Sequence, residues 1–346
     1  MNRGHLLFHR PAELEATRPP EARGVPRDRV RLMVTTARGT EHDTFLHLSR
    51  HLRPGDLLVV NESQTLPASL PARGPFGEFL LNLSTHYGGG TWLAEPRHSP
   101  SRPGPDLLSE GLRFRVGTTS LRAVGPHPGL PRFWFVRVES GPDPGEAMAR
   151  WGEPVRYGYL SGSYPLASYQ TFWGRWPGSA EMPSASRPFT ETVGDACRGA
   201  GVGVASVVLH CGLSSQEVEA PRVEDQPFPP EPFEVPEATA RAVNQALRHG
   251  RRVVAVGTTV ARALESAWHG GEVRPRRGFT RRMILPDRPV RTFQGLITGF
   301  HDPSTSHLAL LYALAGEDRV RGAYREAVAR GYLWHEFGDS HLLWAA

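Results

Sequence analysis

The hydrophobic pattern changes period twice along the chain, and this limits the fold more than any other feature. Up to residue 62 the apolar residues fall in strand, helix, strand order. Residues 30–34 are mostly apolar, with β-branched Val30 and Val34, and Phe45, Leu48 and Leu52 recur at helical spacing before Pro54-Gly55. Residues 56–60 then read as a short buried strand that runs into Asn61-Glu62-Ser63. From 63 to 150 the apolar runs shorten and alternate. Leu112, Phe114 and Val116 are spaced by arginines, Gly117-Thr118-Thr119 reads as a turn, and Phe133, Phe135 and Arg137 are expected opposite Trp134, Val136 and Val138. That pattern predicts a small antiparallel barrel or sandwich. From 151 the strand–helix texture returns: strands at 202–210 and 251–256, helices at 237–247, 260–267, 304–315 and 318–330. The expectation is an α/β protein in which a discontinuous α/β domain (1–62 and 151–346) is interrupted by an inserted antiparallel β domain (63–150).

Composition narrows the function. With 346 residues, 39% of them hydrophobic, the chain can bury a sizeable core, and global disorder is excluded. No apolar run approaches the roughly 18–20 residues that span a bilayer. Residues 1–14 lack an apolar signal core, so no membrane association and a cytoplasmic location are expected. Cys197 and Cys211 offer neither a disulfide framework nor zinc-finger spacing. All 40 residues in the Lys+Arg count are arginine, which rules out a Schiff-base, Walker or kinase lysine. The formal net charge of +5 permits contact with nucleic acid, but the arginines are scattered.

Five clusters carry candidate chemistry. In Val253–Ser266 an apolar strand stops at Gly257, and Thr258-Thr259 open a helix whose free N–H groups favour an anion. An ordinary strand–turn–helix with a threonine cap has the same pattern. Arg262 and Glu265 lie one turn apart and could pair with each other. His301, in Gly299–Ser306, follows a strand and precedes a helix, where it could act as an acid or base or simply be exposed. Ser168-Tyr169-Gln170-Thr171, Pro177-Gly178-Ser179 and Met182-Pro183-Ser184-Ala185-Ser186 are small-residue loops that suit either close approach to a nucleoside or a linker. Leu209-His210-Cys211-Gly212 and Phe337-Gly338-Asp339 complete the set. His47 and His51 have i, i+4 metal-clamp spacing without an evident third ligand, and no HExxH is present, so no metal is expected. Neither a Gly-x-Ser-x-Gly elbow nor a strand followed by GxGxxG occurs.

Taken in order, these clusters resemble the S-adenosylmethionine:tRNA ribosyltransferase-isomerase family of queuosine biosynthesis over nearly the whole chain. The resemblance is carried by Pro54–Asn61 with Pro67-Ala68, Tyr169-Gln170-Thr171 with Pro177-Gly178-Ser179, and Leu209-His210 with Gly212. It continues through Val256–Thr259 with Arg262, Leu264, Glu265 and Ser266, then Thr298 with Phe300-His301 and Pro303, and ends at Gly338-Asp339. It implies an α/β domain with an inserted β-barrel. It also implies an enzyme that takes S-adenosylmethionine as ribosyl donor and 7-aminomethyl-7-deazaguanine in tRNA as acceptor. Adenine and methionine leave and epoxyqueuosine forms, with no metal or prosthetic group. The sulfonium acidifies the adjacent ribose carbon, so a base is needed: His301, His210 or Glu265. Arg262 and the Gly257-Thr258-Thr259 turn are candidates for the methionine carboxylate, and Tyr169 or Phe300 for an aromatic wall. Thr171 and Asp339 are further candidates for binding S-adenosylmethionine, and Asn61, Pro183, Ser184 and Thr190 are other pocket candidates. A monomer is expected.

Several departures fall inside the signatures. Glu62-Ser63-Gln64 stands where the family has Asp-Thr-Arg, Ser69 replaces an arginine, and Pro188 replaces a histidine. Pro227–Pro232 lacks a histidine-rich stretch, Val260 replaces a serine, and Gly299 replaces an asparagine. Losing arginines and histidines removes phosphate contacts and proton carriers. Two alternatives follow: a divergent relative that uses S-adenosylmethionine with a small-molecule acceptor or cleaves it, and a non-catalytic relative that binds the nucleoside or RNA.

Overall fold

The computed structural model describes residues 1–213 and 217–346. At its centre four parallel strands, Gly203–Leu209, Leu57–Asn61, Val253–Val256 and Gly295–Gly299, lie side by side in that order. Every residue of Leu57–Asn61 and Val253–Val256 is buried. Covered on both faces, such strands read as continuous apolar runs. Antiparallel and mixed pairings extend the sheet to nine strands. Glu231–Val235 and Arg276–Thr280 lie beyond Gly203–Leu209, and Ser340–Trp344, Arg31–Thr36 and Gly39–Thr44 beyond Gly295–Gly299. The last of these is an edge strand made of polar residues, GTEHDT, which discourages further pairing.

Side chains alternate between the two faces. Leu57 and Val59 pack with Val243, Val260, Leu264, Leu308 and Leu311, from helices Glu237–Arg248, Thr258–Ala267 and Ser306–Ala315. Leu58 and Val60 pack with Phe45, Leu48, Phe189 and Val193 on the opposite face. The segment expected as a helix near 45–52 is instead a 3-10 stretch, Phe45–His51, broken at His47. The Asp43 carboxylate accounts for the break: it takes hydrogen bonds from His47 Nδ1 at 2.7 Å and His51 Nε2 at 2.9 Å, drawing both rings to the edge strand.

Between the first and second central strands the chain builds a closed six-stranded antiparallel barrel. Its strands are Ser69–Gly74, Gly77–Gly88, Thr91–Ser99, Arg113–Val116, Thr119–His127 and Leu130–Ser140, and closure runs through the pairing of the last with Thr91–Ser99. Gly117-Thr118 is the expected hairpin turn. Phe133 and Val136, expected on opposite faces, both lie in the barrel core. Trp134 is buried as well, because the turn Pro105–Leu107 covers the outer face and Pro105 O accepts from Trp134 Nε1 at 3.2 Å. The barrel docks on the carboxyl side of the parallel strands through short contacts, such as Leu213 N to Ser84 Oγ at 2.8 Å. Among the described residues no helix is long and apolar enough to cross a membrane.

Candidate active site

Where the parallel strands end, a cleft of about 360 Å³ opens between the sheet and the barrel. Ligands of open α/β sheets collect in this position, at the carboxyl ends of the strands. Strand Val253–Val256 delivers Gly257-Thr258-Thr259 to the cleft, strand Gly295–Gly299 delivers His301, and the loop before helix Glu191–Gly199 delivers Pro183 and Ser184. Gly257 holds φ 96° and ψ 153° as the N-cap of Thr258–Ala267 and supplies no side-chain cap. Neither threonine caps the helix, so its N–H groups remain available to a ligand anion. Thr259 Oγ1 instead accepts from Asn61 Nδ2 at 3.3 Å. Asn61, outside the cleft lining, also exchanges hydrogen bonds with both backbone groups of Leu209, at 2.9 and 3.0 Å. It thus ties two strands to the turn.

His301 is held through its backbone and its ring. Its N–H donates to Tyr324 OH at 3.2 Å, its C=O accepts from Trp334 Nε1 at 3.1 Å, and Nε2 lies 2.7 Å from Thr298 Oγ1. Its ring stacks on His307 at 4.5 Å. Burial first, and then the neighbouring His307, His335 and His341, hold its pKa well below the ordinary imidazole value. It is therefore neutral at neutral pH and able to take a proton.

Other candidates lie away from the cleft lining. His210 Nδ1 bonds Ser63 Oγ at 2.7 Å, which in turn bonds Ser179 Oγ at 2.6 Å, a network behind the turn. A Cβ on Gly178 would sit 2.3 Å from the His210 ring, which explains the glycine in Pro177-Gly178-Ser179. Ser63 keeps a hydroxyl where the resemblance has threonine. Arg262 and Glu265 do not pair with each other. Arg262 NH1 bonds the Glu231 carboxylate and Nε donates to Arg282 O at 3.0 Å, while Glu265 Oε1 accepts from Arg291 N, Thr292 N and Thr292 Oγ1 at 2.8, 3.0 and 2.9 Å. Both are buried because the helix packs along its whole length. Phe300 touches the cleft, but its ring packs with Tyr324, Tyr332 and Trp334. Tyr169 packs with Tyr157 and Phe337, and Thr171 is buried nearby in the chain. Asp339 accepts from Arg31 NH2 at 2.8 Å and Leu333 N at 2.8 Å. Thr190 caps helix Glu191–Gly199.

The cleft also holds residues that no motif marked. Tyr159 stacks on His335 at 4.2 Å with rings 11° apart, and its hydroxyl meets Glu336. His335 Nε2 lies 3.0 Å from Asp302, and its backbone adopts φ 72°. Asn82, Glu95, Arg97 and Arg132 line the barrel side, with Arg156 and Tyr157 from the following segment. The clustered aromatics at 157, 159 and 164 were the one available signal. Carboxylates of Glu95, Glu181, Glu217, Asp302 and Glu336 outnumber the guanidiniums of Arg97, Arg132 and Arg156 in the lining, so it favours a cationic ligand.

This geometry can be set beside known proteins. A family model described as queuosine biosynthesis protein matches residues 4–343. The chain belongs to that family. The S-adenosylmethionine:tRNA ribosyltransferase-isomerase of Rubrobacter xylanophilus is 40% identical, over 99% of this chain and 98% of the relative. The protein of the same name from Thermus thermophilus is 36% identical, over 97% of each. A crystal structure of S-adenosylmethionine tRNA ribosyltransferase from Thermotoga maritima shares 28% identity and a TM-score of 0.55, covering 98% of this chain and 99% of that one. The chain is similar to enzymes over its full length, and the α/β body with a barrel agrees with the expected fold.

Proposed function

We propose that the protein transfers and isomerises the ribosyl group of S-adenosylmethionine onto 7-aminomethyl-7-deazaguanine in tRNA, giving epoxyqueuosine and releasing adenine and methionine. The observation that carries this reading is the cleft itself. It sets a neutral histidine, an uncapped helix N-terminus and an acidic lining around one space at the strand ends. The acidic lining suits a sulfonium. The N–H groups following Gly257 suit the methionine carboxylate. Tyr159, stacked on both His335 and Tyr157, brings aromatic surface to the cleft lining, which suits adenine or the positive sulfur.

In this scheme His301 removes the proton from the ribose carbon beside the sulfonium. A neutral imidazole suits the step, because a second cation next to the sulfonium would be repelled before the proton moves. His210 and Glu265 act as supports: the first orders the loop behind the turn, the second anchors residues 291–292. Arg262 holds Glu231 through NH1. The division into an α/β domain (1–62 and 151–346) and an inserted barrel domain (63–150) belongs to the same proposal, with the site at their junction. Cytoplasmic action as a monomer does as well.

The test is adenine release measured by chromatography. Wild-type protein with S-adenosylmethionine and precursor-bearing tRNA should release adenine, and omission of the tRNA should abolish release. His301→Ala should slow release by roughly 100-fold or more, the scale of a lost general base. Adenine formed equally well without tRNA would overturn the acceptor, and unchanged turnover of His301→Ala would remove that histidine from the chemistry.

A further inference from the structure

The wall that the barrel turns toward the cleft carries buried polar atoms with no hydrogen-bond partner. Asn82 and Glu95 face each other across the neighbouring strands Gly77–Gly88 and Thr91–Ser99. Each is 3% exposed, and both line the cleft, while Leu81 and Leu83 turn into the barrel core. Among the described residues Asn82 Oδ1 and Glu95 Oε1 have no hydrogen-bond donor, and Arg132 Nε, on the next strand, has no acceptor. Glu95 Oε1 and Arg132 Nε stand 3.8 Å apart, beyond hydrogen-bond distance. The other Glu95 oxygen accepts from Arg97 NH1 at 2.8 Å, which fixes the carboxylate.

Burying such atoms without partners costs stability, and native proteins rarely retain them without a use. Three barrel strands in a row present an amide oxygen, a carboxylate oxygen and a guanidinium N–H. We propose that this wall reads the hydrogen-bonding edge of the acceptor base. A guanine-type edge offers an exocyclic N–H, a ring N–H and a carbonyl oxygen in sequence. They pair with Asn82 Oδ1, Glu95 Oε1 and Arg132 Nε respectively. An adenine edge puts a ring nitrogen lone pair beside its amino group and would leave one oxygen facing a lone pair. The amino-acid end of the nucleoside is served across the cleft by the turn at Gly257. A base in a folded tRNA reaches such a wall only by leaving its stack, and its edge is then read by polar groups in the pocket. This inference rests on the acceptor proposed above and adds the residues that select it.

The experiment varies precursor tRNA and S-adenosylmethionine separately in the adenine-release assay with the full chain. Asn82→Leu and Glu95→Gln should each raise the KM for tRNA roughly ten-fold or more and leave the KM for S-adenosylmethionine unchanged. On a tRNA whose base lacks the 2-amino group, wild type should lose roughly ten-fold or more in kcat/KM. Asn82→Leu should lose little further, because the partner is already gone. A purely structural role predicts a lower melting temperature for Asn82→Leu and losses that add. Removal of an unsatisfied polar atom predicts a melting temperature that holds or rises. A raised KM for S-adenosylmethionine instead would place the amino-acid end on this wall and overturn the inference. So would unmoved tRNA kinetics in both variants, with the functional reading intact. Absence of any tRNA-dependent adenine release by wild type would remove the functional reading and this inference with it.

Discussion

Arg262 is prominent in a motif, and its guanidinium is held inside the protein. Its guanidinium meets the Glu231 carboxylate and lies over the Phe228 ring at 4.4 Å, and Glu231 also accepts from Gly212 N at 2.8 Å. The proline-rich stretch 227–232 therefore supplies the partners that hold the arginine. Removing one member of a buried pair strands the other. Arg262→Ala is therefore expected to cost roughly 3–5 kcal/mol, read as a lowered urea midpoint. An unchanged midpoint with a raised KM for S-adenosylmethionine would return Arg262 to ligand binding. His335 gives a pH signature. Burial pulls its pKa down, but the carboxylate of Asp302, 3.0 Å from Nε2, and that of Glu336 outweigh burial and hold it above 6.5. The folded protein therefore holds this proton more tightly than the unfolded chain. The resulting stability is fully present below the unfolded value and is lost as pH rises through the folded one. Because buried neutral histidines such as His301 and His341 act with the opposite sign, the wild-type slope alone is not diagnostic; the excess urea midpoint of wild type over Asp302→Asn should shrink as pH rises across that window. An excess that stays constant there would contradict the assignment.

At the level of elements, the strand ends decide what the site can do. Gly257 takes a backbone angle that L side chains rarely adopt, and an added Cβ would sit 3.3 Å from Ala185 Cβ. Gly257→Ala should cost about 1–3 kcal/mol in strain and, by displacing the helix N-terminus, raise the KM for S-adenosylmethionine more than it lowers kcat. An alanine variant with wild-type KM would show that the turn does not touch the nucleoside. Gly257 and His301 were legible in the sequence because apolar runs that end at glycine or histidine mark strand ends, where such sheets bind ligands. The helix that follows was legible too, but its buried Arg262 and Glu265 were not, since charge one turn into a helix reads as a solvent face. Asn82 and Glu95 were invisible for a related reason. Polar residues set among apolar ones on a barrel strand look solvent-facing until another body packs against them. The segment 153–190 has no period at all, so the pattern did not mark Tyr157 and Tyr159.

For the whole molecule, charge separates two tasks. The chain carries a formal net charge of +5, whereas carboxylates outnumber guanidiniums in the cleft lining. The positive surplus therefore lies on the remaining surface, where a polyanion can be met without entering the cleft. A cationic nucleoside and an RNA backbone make opposite demands on the same protein, and this charge distribution allows the two to be met in different places. Each phosphate neutralised by arginine releases condensed counterions. The logarithm of the tRNA binding constant should therefore fall linearly with the logarithm of salt, by about 0.7–0.9 per phosphate contacted. S-adenosylmethionine binding involves a single compact cation in a partly enclosed, acidic site and should weaken only slightly over the same range. Fluorescence titrations of each ligand from low to physiological salt would compare the two slopes. A steep slope for tRNA beside a shallow one for the nucleoside fits the separation, and a flat response to tRNA would mean that the arginines do not gather a phosphate backbone.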